Sequence, residues 1–171
     1  MINSKVTNVS PGDISIRTIL RPGDIGMVTW LHGHIYSREY QYGISFEAYV
    51  AHGLYEFYRQ YDPVKDGVLI CEHGDKMVGF LLLMHRGDTA QLRYFILLPD
   101  YRGIGLGRKL MDLFMKGLRE RGYASAYLYT THELTAAANL YKRCGFQLTE
   151  EKESANFGKL LKEQRYDLTT I

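Results

Sequence analysis

The sequence predicts an α/β sandwich on a mixed sheet. Three short apolar runs, VLICEH, MVGFLLLMH and TAQLRYFILL, are separated by the turn segments HGDK and RGD, the pattern of a three-strand antiparallel meander. Two later segments carry apolar residues at helical spacing: Leu110, Met111, Phe114 and Leu118, then Ala137, Leu140, Tyr141 and Cys144. Each runs into a glycine, Gly122 or Gly145, that suits a helix C-terminus. A chain of 171 residues holds one domain whose core is large enough to keep a buried pocket.

The other elements follow from the same kind of signal. The polar start, MINSKVTNVSPGD, is punctuated by Ser10, Pro11 and Gly12, so residues 1–12 are expected to be a flexible lead-in and residues 13–171 the folded domain. In ISIRTIL the apolar Ile14, Ile16, Ile19 and Leu20 flank Ser15, Arg17 and Thr18, roughly the alternation of a half-buried strand; Pro22, Gly23 and Asp24 then offer a turn and a helix cap. The next stretch is aromatic-rich and helix-like but interrupted by Gly33 and Gly43, which predicts two helices, near 24–38 and 45–60, joined by REYQYGI. After the meander come an amphipathic helix from Gly107, the strand SAYLYT and the second amphipathic helix. FQLTEEK and QRYDLTT close the chain as strands, with SANFGK as the loop between them.

Composition excludes several classes of function. The 21 basic and 19 acidic residues leave a formal net charge of +2, too balanced to imply a nucleic-acid or membrane surface, so any basic site must be local. The longest apolar run, at 77–84, falls well short of the roughly 18–20 residues of a membrane-spanning helix. Cys71 and Cys144, in a chain without a secretory h-region, read as reduced buried thiols and favour the cytoplasm. His32 and His34 stand two apart with no accompanying Cys or acid cluster, and His132-Glu133 lacks a second histidine, so no metal is expected.

The segment LLPDYRGIGLGRKL carries most of the chemistry. A helix N-terminus exposes backbone N–H groups without intrahelical partners and about half a positive charge, and glycine lets a phosphate approach that backbone. With Arg102, Arg108 and Lys109 beside Gly103, Gly105 and Gly107, the segment suits a pyrophosphate with further phosphate charge. It suits equally a tight strand-to-helix turn whose charges face water. The spacing matches neither the dinucleotide G-x-G-x-x-G nor the Walker Gly-Lys-Ser/Thr pattern.

Residues 102–107, RGIGLG, resemble the R/Q-x-x-G-x-G/A signature of the GNAT superfamily of acyl-CoA-dependent N-acyltransferases, in the same strand-to-helix context. A later A-x-x-L-Y-x-x-x-G-F, from Ala137 to Phe146, agrees with the same family. The likeness extends over essentially the whole chain, and LHGHIYSREYQYGISFEAYV and FGKLLKEQRYDL resemble the subgroup fused elsewhere behind MarR-type regulators. The resemblance implies a mostly antiparallel central sheet flanked by helices and acetyl-CoA as acyl donor. It implies that Arg102, Gly103, Ile104, Gly105, Leu106, Gly107, Arg108 and Lys109 hold the pyrophosphate. It also implies that Phe95, Ile96, Leu97 and Leu98 pair with the pantetheine arm, a backbone N–H around Ile96 to Leu98 holding the carbonyl oxyanion. One position departs: many members have Asn seven residues before the tyrosine, where this chain has Leu134.

Amide formation from a thioester asks for a neutral amine, a stabilised oxyanion and help for the departing thiolate. An alkyl ammonium is neutral in about 1 molecule in 2,500 at pH 7, a handicap of about 4.6 kcal/mol that a base or water relay relieves. Glu39, on REYQYGI, is the leading candidate base, with His34, Tyr36, His132 and Glu133 behind it; a solvated loop carboxylate is the plainer reading of Glu39. Tyr141 falls on the apolar face of its helix, where a buried phenol needs a partner. The resemblance places it beside the CoA sulfur as general acid. Cys144 shares that face and reads as an inert thiol rather than a nucleophile. The cluster Tyr36, Tyr40, Tyr42, Phe46 and Tyr49 reads chiefly as core and pocket wall, and only hints at an apolar or aromatic acceptor. The expected activity is N-acetylation of a small-molecule or peptide amine by direct attack in a ternary complex, in a possible homodimer. A non-catalytic acyl-CoA sensor and an interaction domain with a vestigial site stay open.

Overall fold

The computed structural model describes residues 9–169. The elements are β1 (Ser15–Arg17), α1 (Asp24–Tyr40), α2 (Ile44–Gln60), β2 (Gly67–His73), β3 (Lys76–Arg86), β4 (Thr89–Leu97), α3 (Leu106–Glu120), β5 (Ala126–Thr131), α4 (Thr135–Arg143), β6 (Gln147–Ser154) and β7 (Leu161–Leu168). All seven strands form one sheet in the order β1-β2-β3-β4-β5-β7-β6. Every neighbouring pair is antiparallel except β4–β5, so the mixed, mostly antiparallel sheet is as expected.

The sheet buries both faces. One core joins α3 and α4 to Val78, Leu81, Leu83 and Leu92. The other joins α1 and α2 to Phe80, Leu82, Met84 and Ile96. This is why MVGFLLLM reads as an unbroken apolar run: β3 is covered on both sides. Helix α3 is anchored by Leu106, Leu110, Met111, Phe114 and Leu118, each at most 1% exposed. Burying such a side chain is worth about 1.5–3 kcal/mol, so the N-terminus of α3 is held firmly at the end of β4.

Two boundaries differ from the sequence reading. Residues 1–8 of the lead-in lie outside the described residues, but its end is structured. Pro11–Asp13 forms a 3-10 turn, Ser10 donates from its backbone N–H and hydroxyl to the Asp13 carboxylate, and Val9 packs on the core. Helix α1 runs on through Tyr40, past Gly33, and is stopped by Gln41 in the left-handed region at φ 58°. Arg38, Glu39 and Tyr40 therefore belong to a helix turn rather than to a linker. At the other end α1 starts at Asp24 as expected, with Gly23 at the cap position, and the Asp24 carboxylate accepts the Arg21 N–H and pairs with Arg17.

Candidate active site

Two irregularities in β4 create the site. Its parallel pairing with β5 covers only Ala90–Ala126, Gln91–Tyr127 and Leu92–Leu128, although β4 continues to Leu97 and β5 to Thr131. The strands separate beyond Leu92, and backbone groups on that side of β4 lose their sheet partner. On its other side β4 pairs Arg93 with Leu82 and then Ile96 with Phe80, so two residues of β4, Tyr94 and Phe95, face one of β3. This is a β-bulge, and Tyr94 takes it up at φ 53°, a conformation that costs a bulky side chain strain. The extra residue turns Arg93 and Tyr94 toward the same face: the Arg93 guanidinium reaches Tyr49 on α2, and the Tyr94 ring stands edge-on to His32 on α1.

A cavity of about 700 Å³ occupies the gap, walled by α1, α2, β4, β5, the start of α4 and the β6–β7 ribbon. Tyr141 borders it from α4, 5% exposed, and its hydroxyl has no hydrogen-bond partner among the described residues. Burial raises its pKa above the ordinary phenol value, so it stays protonated across the neutral range. Phe95 links the cavity to the glycine segment: its ring lies 6.4 Å from that of Tyr141 and 3.8 Å from the point where a Gly107 side chain would begin. Leu140 and Leu97 approach that point to 3.4 and 3.6 Å, so a methyl at 107 would stand in ordinary van der Waals contact with both.

The glycine segment has the form of an anion cradle. Gly103 and Gly105 adopt φ +77° and +91°, which L side chains rarely adopt. The first α3 donor engaged is the Lys109 N–H, on the Gly105 carbonyl; the backbone N–H groups of residues 103–108 have no protein partner among the described residues. Arg108 and Lys109 are exposed beside them, while Ile104 packs on the core. Arg102 is committed elsewhere: it donates to the Leu97 carbonyl and, through Nη1, to both Glu39 carboxylate oxygens at 2.9 and 2.8 Å.

The remaining candidates divide. Tyr36 borders the cavity and Burial raises its pKa well above the phenol range, whereas Glu39, His34, His132 and Glu133 stand outside the cavity walls. His34 stacks outward on Trp30 at 4.5 Å, His132 accepts the Lys162 N–H, and Glu133 pairs with Lys159 at 2.6 Å. Ile96 is core. Leu98 gives its N–H to Val78, and by the alternation of antiparallel pairing the N–H in this stretch that faces the gap is Leu97's. Leu134 sits at the N-cap of α4 with no side-chain bond to the helix. Cys71 is buried and its thiol pushed up to about 12; Cys144 is only half-buried, also raised, and neither lines the cavity.

The sequence singles out His32 only as a metal ligand to be set aside, and gives no signal for Arg93. Two residues apart on a helix means opposite faces, so His34 faces out and His32 packs inward with Val28, Leu31 and Ile35; that phase was the available signal. The His32 Nδ1 bonds the Val28 carbonyl, which can only accept, so Nδ1 carries the hydrogen and Nε2 is left as an acceptor. Burial lowers its pKa from 6.5 to about 4. An unfolded chain takes up this proton first, so stability that is full above about pH 6.5 is lost as the pH falls toward 4, by about 3 kcal/mol. Urea unfolding across that window checks this: His32→Gln should flatten the acid limb relative to wild type, and an unchanged limb would refute it.

The model of the acetyltransferase (GNAT) family matches residues 33–146. The chain belongs to that family. It is 31% identical over 96 residues to an uncharacterised N-acetyltransferase of Methanocaldococcus jannaschii, covering 52% of this chain and 41% of that protein. It is 33% identical over 98 residues to the uncharacterised N-acetyltransferase YjgM of Escherichia coli, covering 55% and 59%. The chain thus spans about half the length of the curated relatives it matches. Among solved structures, YncA of Salmonella typhimurium, determined with its cofactor acetyl-CoA, superposes with a TM-score of 0.67 at 20% identity, over 92% of this chain and 94% of that one. That likeness is one of fold.

Proposed function

We propose that the chain transfers an acetyl group from acetyl-CoA to a primary amine of a small-molecule or peptide acceptor by direct attack in a ternary complex. One observation carries the reading: the fork between β4 and β5 joins an anion cradle to an aromatic cavity, with Phe95 touching both and the unpartnered Tyr141 hydroxyl at the junction. The residues present fit the donor, since a run of bare N–H groups with Arg108 and Lys109 suits a pyrophosphate, and the unpaired edge of β4 suits an amide-bearing chain. When bound, acetyl-CoA supplies an activated acyl carbon: the amine nitrogen adds to it, the C–S bond then breaks with the sulfur leaving as the CoA thiolate, and the proton lost by the amine passes to solvent, from which the thiolate is protonated. The Leu97 N–H faces the gap where an oxyanion needs a donor. Tyr141, held protonated by burial, donates a hydrogen bond to negative charge developing on sulfur.

Glu39 serves this site through Arg102. Its two bonds to the guanidinium fix the first residue of the signature against the last turn of α1, and the carboxylate does not reach the cavity. The likeness of residues 31–50 and 157–168 to domains fused behind MarR-type regulators belongs to the same proposal, as does a cytoplasmic setting. Calorimetry with acetyl-CoA and release of free thiol with a panel of polyamines, amino acids, aminoglycosides and peptide N-termini test the reading. Binding plus thiol release with at least one amine is expected. Binding without release from any amine identifies a sensor, and absence of binding overturns the donor assignment.

A further inference from the structure

Resting on the acetyltransferase reading, we infer that the acceptor carries a carboxylate beside its amine, that Arg93 binds that carboxylate, and that the aromatic wall takes an apolar or aromatic side chain: the acceptor is a free amino acid of that class. Arg93 is brought to the cavity by the β4 bulge. Its guanidinium lies 4.6 Å from the centre of the Tyr94 ring and 5.6 Å from that of Tyr49, and Nη2 donates to the Tyr49 hydroxyl at 3.1 Å. Two rings and one hydrogen bond hold a flexible side chain in place while most of its five donors stay unused.

The other cations on the cavity wall are answered. Arg165 makes a forked contact with Asp167 and stacks on Tyr127, and Lys152 faces Glu163 at 3.9 Å. Arg93 has no carboxylate within 4.0 Å among the described residues. A held guanidinium without an anion matches the planar two-oxygen fork of a carboxylate. Arg93 is the one wall cation without a carboxylate partner among the described residues, and Glu150, Glu151 and Glu163 on the same wall disfavour a ligand of higher negative charge, which favours a carboxylate over a phosphate. Around it Tyr36, Tyr42, Phe46, Tyr49 and Phe157 form a continuous aromatic cluster. A volume of about 700 Å³ is on the scale of a small-molecule site. In the reaction the amine nitrogen bonds the acetyl carbon and the C–S bond of acetyl-CoA breaks; the sulfur leaves with the bonding pair as the CoA thiolate, the proton lost by the amine passes to solvent water and an equivalent proton converts the thiolate to the thiol, while the carboxylate is untouched.

The test compares phenylalanine with phenethylamine and phenylalaninamide as acceptors, by thiol release. Phenylalanine should show kcat/KM about 10- to 100-fold above both, the range of a hydrogen-bonded charge. Arg93→Met, which keeps the apolar stem, should bring the ratio toward one, and Arg93→Lys should restore part of it. Equal use of the three acceptors, an equal loss for all of them in Arg93→Met, or a preference for phosphoethanolamine over phenylalanine overturns the inference. A second measurement needs no turnover: N-acetylphenylalanine should bind the protein by calorimetry in the presence of CoA and lose about 10-fold or more in Arg93→Met. Acetyl-CoA binding without N-acetylphenylalanine binding sinks the carboxylate site and leaves the donor reading standing, whereas loss of both sinks the donor reading as well.

Discussion

Tyr141→Phe should lower kcat by about 10²- to 10⁴-fold, the usual contribution of a positioned acid, while acetyl-CoA affinity stays within about twofold. The ring remains and only the hydroxyl goes. That hydroxyl has no partner among the described residues, so its removal leaves no protein group unsatisfied and the fold should be as stable as wild type or slightly more so. Burial raises the phenol's pKa, so the proton is present at any pH at which the enzyme is assayed, and the deficit should not be recovered by lowering the pH. A phenol above 10 facing a thiolate near 8.5 favours hydrogen-bond donation over complete transfer, which argues for the lower part of that range. Steady-state kinetics by thiol release and calorimetry with acetyl-CoA decide the matter together. Wild-type turnover would remove Tyr141 from the chemistry, and a matching loss of donor affinity would make its role one of packing.

The glycine segment of the candidate site was legible because its features are written locally. Gly103, Gly105 and Gly107 with their cations, and the strand before and helix after, occupy one short stretch, and glycine at positive φ leaves a signature in sequence. The order of elements was legible for the same reason: Gly122 at φ +75° ends α3 where the periodicity stops, and Gly145 at φ +94° follows α4. The aromatic cavity depends on long-range register. Nothing in TAQLRYFILL announces that β5 leaves β4 after Leu92, because the loss of alternation past Tyr94 reads equally as a strand covered on both faces, and β4 is both covered and bulged. The helical place of Glu39 is hidden for a local reason: α1 is stopped by Gln41, a non-glycine at positive φ, whereas the stop the sequence signals is the glycine at 43. The partner of Glu39, Arg102, lies 63 residues away, a distance no spacing rule crosses.

Gly53→Ala should cancel or reverse the gain that helix propensity alone dictates. In the middle of α2, replacing glycine by alanine ordinarily stabilises by about 1 kcal/mol. Here the new methyl would stand 2.0 Å from the Tyr94 hydroxyl and 2.8 Å from Arg93 Nη2. Neither neighbour retreats cheaply. Tyr94 is fixed by its bulge at φ 53° and by the edge-on His32 ring, and Arg93 is stacked between Tyr94 and Tyr49. Overpacking of this kind costs about 1–3 kcal/mol, which meets or exceeds the propensity gain and leaves the variant neutral to about 2 kcal/mol less stable. Gly26→Ala in α1 is the control, since a methyl there meets nothing within 4 Å and should stabilise by up to about 1 kcal/mol. Urea denaturation of the two variants separates propensity from crowding, because both make the same chemical change in a helix. If the methyl at 53 pushes Arg93 and Tyr94 out of place, KM for the acceptor should rise while acetyl-CoA affinity holds, since the cradle at 103–108 lies on the far side of the fork. A Gly53→Ala variant as stabilised as Gly26→Ala, with an unchanged acceptor KM, would show that the bulge yields freely and that its geometry does not set the acceptor site.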